Sequence, residues 1–298
     1  MKTKIWKYLK IFWFIKLMIK TVIGIYLIKQ GGYIMIQQII NNLFTFEKCE
    51  PILHLFSWYH LLIFFGSFAV FHYINHMQKI NKYTEFIAKA STICMAILQV
   101  ILYIWYCLSP VESLFLKGLP LYTCRMVLWL FVCGQFFGMK KCLKLATYWG
   151  VYGGIAGLVF PTIFHYPVPH ILQIATIVLH IYIFLLGSYY LFVKKIGMTL
   201  KDSHWCVRIT TGLIIFNAIF NSIFGTNYIS TNRMPAHLVN YLGMNLPDFL
   251  CLPAVIIGYI AVTYFQWWVS NKTIKYMEEK KNRIKISKLV EVDSYDSK

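Results

Sequence analysis

Charge is scarce in this chain. Only 13% of its 298 residues are Asp, Glu, Lys or Arg, about half the share of a soluble domain. Acidic residues are the rarest part of that: 11 against 29 Lys and Arg, for a formal net charge of +18. A chain so poor in polar surface cannot cover itself in water, which excludes an ordinary soluble enzyme. Cysteine pairs of the CxxC type are missing too. The eight cysteines are Cys49, Cys94, Cys107, Cys124, Cys133, Cys142, Cys206 and Cys251. Most sit inside apolar runs, where cysteine acts as a small hydrophobe, so the pattern is neither a disulfide framework nor a zinc site. No metal, nucleotide or flavin motif occurs, and no cofactor is expected. The basic excess does not point to nucleic acid. It lies in short segments between apolar runs, where Lys and Arg orient membrane proteins and touch anionic lipid head groups.

What the chain has in abundance is apolar surface: 58% hydrophobic residues and 18% aromatics. A helix needs roughly 20 apolar residues to cross about 30 Å of hydrocarbon. Stretches meeting that need lie near 53–76, 86–108, 119–138, 145–163, 170–193, 206–224 and 248–268. The sequence therefore predicts an all-α polytopic transmembrane bundle with about seven core spans. Lys79, Lys82, Lys140, Lys141, Lys144, Lys194, Lys195, Lys201 and the eight Lys and Arg beyond residue 268 alternate with segments holding only Lys48, Lys117 and Arg233. The richer set marks the cytoplasmic side. The C-terminus is then cytoplasmic, in a cell-membrane protein, and the segments near 35–52, 109–118, 164–169 and 225–247 face outward.

Three parts follow: a basic, apolar extension (1–34), the bundle (35–270) and a charged cytoplasmic tail (271–298). Ile11 to Ile28 is apolar enough for an additional span, but Lys16 and Lys20 would cost about 2.5–3.5 kcal/mol each near its centre. A signal-anchor and a surface amphipathic helix both remain open.

Polar residues inside spans are functional candidates by default. At about 1.5 Å per helical residue, Cys124 and Arg125 lie roughly 8 Å below the outer edge, His60 roughly 10 Å and His180 roughly 15 Å. Asn221 and Asp248 sit at outer helix ends, and His165 and His170 flank an outer connector. One shared depth zone predicts one cavity open to the outer side, contacting membrane lipids. Each residue also has a plain structural reading: a histidine bonded to a neighbouring helix, an arginine reaching for the interface, an asparagine gluing helices, an aspartate capping a helix. Gly150, Gly153, Gly154 and Gly157 in the run YWGVYGGIAG form two GxxxG pairs and predict close helix packing.

LPLYTC at 119–124, YWGVYGGIAGLVFP at 148–161, PHILQIATIVLH at 169–180 and N-x-x-x-GTNY at 221–228 occur in an order and spacing that resemble the YwaF-type bacterial integral membrane proteins. That family is more remotely similar to the transmembrane protein 164 acyltransferases, which move acyl chains between phospholipids through a cysteine and a histidine. The resemblance implies Cys124 as nucleophile, His180 as its partner, and Asn227 as the asparagine of the GTNY motif. The chain departs from the pattern at Tyr122, where histidine is common, and at Leu246 to Phe249, where a Trp-Pro-Trp-like motif is common. Chemically, a cation beside the thiol, Arg125, would favour the thiolate or hold a lipid phosphate. His180 would move the proton, and Asn221 or Asn227 would donate to an oxyanion. The sequence offers no intramembrane carboxylate to orient His180. A lipid acyltransferase, a small-solute transporter and a non-catalytic binding or scaffold protein all stay open.

Overall fold

The computed structural model describes residues 32–50, 57–77, 82–162, 164–234 and 246–296, with Val239 and Gly243. The expected helix over 11–28 lies outside the described residues. Within them the chain is all-α: α1 (Gly32–Phe44), α2 (Trp58–Met77), α3 (Lys82–Leu108), α4 (Thr123–Phe136), α5 (Lys140–Val159), α6 (Ile171–Ser188), α7 (Leu200–Phe224) and α8 (Asp248–Asp296).

Among the described residues, four stretches are long and apolar enough to cross a bilayer: Tyr83–Leu108, Ile171–Val193, Leu200–Phe224 and Asp248–Tyr276. The expected span over 119–138 is instead a helix of 14 residues, about 21 Å long. Just before it lies a π turn, Leu114–Gly118, whose first amides are capped by Ser113. The physical reason lies in Pro120. A residue before proline is pushed out of the helical region, and Leu119 is extended, as is Tyr122. With Tyr122 also extended, the helix begins at Thr123. The tail is continuous with the last span: α8 runs for 49 residues.

α5 is the central helix, packed along α4 and α6. A Cβ on Gly150 would sit 2.7 Å from the Ile183 carbonyl oxygen, and one on Gly154 2.6 Å from the Phe184 Cβ. These glycines let the backbones of α5 and α6 touch. Gly153 differs: nothing lies within 4 Å of its would-be Cβ, so it takes no part in that contact. Trp149 on α5 donates to Thr210 Oγ1 on α7 at 3.0 Å, joining the third neighbour.

The polar ends are segregated. Glu112 pairs with Lys48 (3.3 Å) and Lys117 (2.8 Å). At the other end Lys144 pairs with Asp202 (2.8 Å) and Lys194 with Glu85 (3.0 Å). Each set joins segments that the basic-residue pattern assigns to one side. His170 anchors the Glu112 end: its Nδ1 accepts from the Leu172 amide as the N-cap of α6, its Nε2 donates to the Thr45 carbonyl at 3.0 Å, and its ring stacks on Tyr166 with centroids 4.2 Å apart.

Candidate active site

Cys124 is the second residue of α4 and is partly accessible. Its position follows from the proline-driven late start of the helix. The first-turn amides of any helix lack intrahelical acceptors, and here the N-cap residue, Tyr122, makes no side-chain bond to them. The first backbone bond of α4 runs from Met126 to the Tyr122 carbonyl. The first-turn amides of α4 thus have no side-chain cap. All eight cysteines are free thiols.

The Cys124 thiol and the His180 imidazole lie within electrostatic reach of each other. His180 Nδ1 lies 2.7 Å from the Thr176 carbonyl oxygen one turn back on α6. A carbonyl only accepts, so Nδ1 carries the proton and Nε2 keeps its lone pair for another partner. A backbone carbonyl thus orients the imidazole in the role a carboxylate plays elsewhere. Room for the ring comes from Gly157: a methyl there would overlap the ring atoms Cδ2, Nε2 and Cγ. The second GxxxG pair is in effect one glycine seating a histidine. Nothing in the sequence pattern separates that from helix packing.

Arg125 does not reach for the interface. It is buried, with Nη1 donating to the Lys117 carbonyl at 2.7 Å and the Leu119 carbonyl at 3.3 Å, and Nη2 to the Tyr106 hydroxyl at 3.3 Å. Its guanidinium lies over the rings of Tyr106 and Tyr122, about 5.4 and 5.3 Å from their centroids. It pins the π turn to the site and places a fixed positive charge beside Cys124. Tyr122 is one wall of that arrangement, edge-on to Tyr228 at 4.8 Å.

Asn221 is fully buried and engaged on both sides of its amide. Nδ2 donates to the Tyr228 carbonyl (2.8 Å) and Thr231 Oγ1 (2.7 Å); Oδ1 accepts from Thr226 Oγ1 (2.5 Å) and the Tyr228 amide (2.9 Å). It holds a turn in which Ile229 and Ser230 both take φ of 57°, an unfavourable region for a β-branched residue. Asn227 ties the same loop through Asn232 and Arg233. Neither amide is turned to Cys124. Asp248 is exposed at the start of α8, where a carboxylate suits the helix dipole. Asn221 and Asp248 line a groove of about 510 Å³ with Thr231 and Arg233. Cys124, Arg125, His60 and His180 do not line that groove. His60 Nε2 donates to the Leu158 carbonyl at 2.6 Å, joining α2 to the outer end of α5, next to the glycine that seats His180.

Residues that sequence reasoning passed over complete the site. The Tyr228 hydroxyl donates to the Phe115 carbonyl (2.9 Å) and accepts from the Leu119 amide (3.2 Å), locking the segment before α4. Tyr259 on α8 bonds Thr123 at 2.8 Å. Tyr228 lies in the GTNY motif, a signal that pointed at its asparagine instead.

No curated protein and no solved structure matches the chain. A family model does match, over residues 43–265, three quarters of the chain and every residue of the arrangement around Cys124 and His180. The chain is an integral membrane protein and belongs to the TMEM164 family.

Proposed function

We propose that the protein is a thiol-dependent lipid acyltransferase of the cell membrane, with Cys124 as nucleophile, His180 as general acid and base, and its C-terminus in the cytoplasm. What supports this reading is a histidine held by the Thr176 carbonyl through Nδ1, within electrostatic reach of a cysteine at a helix N-terminus without a side-chain cap. Thiol nucleophiles need a base within reach, and helix N-termini and nearby cations favour the thiolate.

In the reaction, His180 Nε2 takes the thiol proton as sulfur adds to the ester carbonyl of a phospholipid. The uncapped amides at the start of α4 receive the oxyanion. Collapse breaks the acyl C–O bond, and the imidazolium returns its proton to the departing glycerol oxygen. A lysolipid hydroxyl then gives its proton to Nε2 and attacks the thioester. A new ester forms, the C–S bond breaks, and the thiolate regains the proton. Arg125 supplies fixed charge rather than a free phosphate fork, because three of its five donors are engaged with the carbonyls of Lys117 and Leu119 and with the Tyr106 hydroxyl.

The test uses the purified chain in vesicles holding a phospholipid with a labelled acyl chain and an unlabelled lysophospholipid. Label should move to the lysolipid, and Cys124→Ser should stop it. Full transfer by Cys124→Ser would overturn the reading.

A further inference from the structure

Backbone amides are the donors assigned to the oxyanion so far, and the two asparagines expected to help are bonded into the loop after α7. Another side chain stands in the right place. Tyr259, from the middle of the last span, brings its hydroxyl to 2.8 Å from Thr123 Oγ1, on the residue preceding Cys124, and lies within electrostatic reach of the Cys124 sulfur. Its ring is held edge-on by Tyr152 of α5, with centroids 5.9 Å apart. Two hydroxyls carry two protons, and the bond between them uses one. One O–H therefore remains beside the nucleophile whichever of the two is the donor. The phenol is the more acidic, and so the stronger donor toward negative charge.

We propose that Tyr259 is a further catalytic residue, whose hydroxyl, backed by Thr123, donates a hydrogen bond to the carbonyl oxygen of the acyl group under attack by Cys124. The proposal rests on the acyl-transfer reading above. The phenol keeps its proton throughout: it stabilises the oxyanion as sulfur adds and relaxes as the C–O bond breaks. Because Tyr259 belongs to α8 while Cys124 belongs to α4, the oxyanion site is complete only where these two helices meet.

The test compares two reactions of Cys124 in the full-length protein in detergent. Alkylation by iodoacetamide passes through no oxyanion; acylation by a p-nitrophenyl fatty ester does. Tyr259→Phe should slow acylation about 100-fold and leave alkylation within twofold. Thr123→Val should slow acylation less. Should Tyr259→Phe fail to fold, 3-fluorotyrosine at position 259 keeps the shape and makes the phenol more acidic; acylation should then quicken with alkylation unchanged. Equal loss of both rates would make Tyr259 a prop for the start of α4 and overturn the proposal, as would no change in either. If the unaltered protein is alkylated but never acylated at Cys124, the acyl-transfer reading itself falls, and this proposal with it.

Discussion

Two buried polar regions lie toward one end of this bundle, and they are built oppositely. Around Asn221, both donors and both acceptors of one amide are satisfied within a single turn. Around Cys124, capacity is left over: the start of α4 has no side-chain cap, and one hydroxyl proton of the Thr123–Tyr259 pair is not used in the bond between them. A satisfied network in a low-dielectric interior fixes structure. An unsatisfied one is costly unless something else comes to complete it. The contrast separates scaffold from site among residues that look alike in sequence.

The largest expected effect breaks the site side of that comparison. Cys124→Ser should abolish labelling by thiol-reactive lipid-like probes and all acyl transfer. His180→Ala should slow labelling by about 100-fold without removing the protein from the membrane. Labelling at the normal rate in His180→Ala would show that the imidazole is no base for this thiol.

The scaffold side should break through stability. Asn221→Ala strands buried groups of Tyr228, Thr226 and Thr231 and should lower stability by about 2–4 kcal/mol, read as a fall in melting temperature in detergent. Asn227→Ala, in an exposed part of the same loop, should cost less than about 1 kcal/mol. An Asn221→Ala protein of normal stability that had lost acyl transfer would erase the distinction drawn here.

The glycines sharpen the comparison. Gly157→Ala drives a methyl into the His180 ring and should cut acyl transfer at least tenfold at an overpacking cost of about 1–3 kcal/mol. Gly153→Ala, with open space at its Cβ, should leave transfer and melting unchanged. Measuring both variants side by side decides whether the second GxxxG pair serves packing or the histidine.

The smallest effect is on pH. Burial pushes the Glu112 carboxyl up, but Lys117 and Lys48 outweigh it and hold it below the ordinary carboxylate value. A depressed folded value means that the group stabilises the fold above the unfolded value, and that this contribution is lost as pH falls through the depressed one. Both lysines are about half exposed, so the loss should stay under about 1 kcal/mol. Glu112→Gln should flatten the acid limb of a melting-temperature profile in that window; an unaltered limb would remove Glu112 from the account.

Much of the helical layout was legible because apolar length is a bulk property of the sequence. The segregation of ion pairs into two ends follows from the alternation of basic and apolar segments. The short α4 was also within reach, since Pro120 forbids a helix at Leu119, but hydropathy averaged over 119–138 hid it. The division of the polar residues into an Asn221 turn and a Cys124 site was not legible, because depth along a helix carries no information about direction around it. Arg125 at the outer end of a span reads as an interfacial cation until the π turn is seen folding back over it. Tyr259 was invisible for a plainer reason: it is one of 21 tyrosines, and only α8 packing near the start of α4 sets it apart.

The sequence alone determined the solvent this protein lives in and the way its chain is cut into helices, because both depend on composition and local backbone preference. It also led to the TMEM164 family, as a remote similarity. Only the tertiary structure decided which polar groups are finished and which are open. That property belongs to pairs of atoms from different helices, His180 against Gly157, Tyr259 against Thr123, Asn221 against its own turn, and hydrogen bonding acts over distances that the linear order of residues does not record.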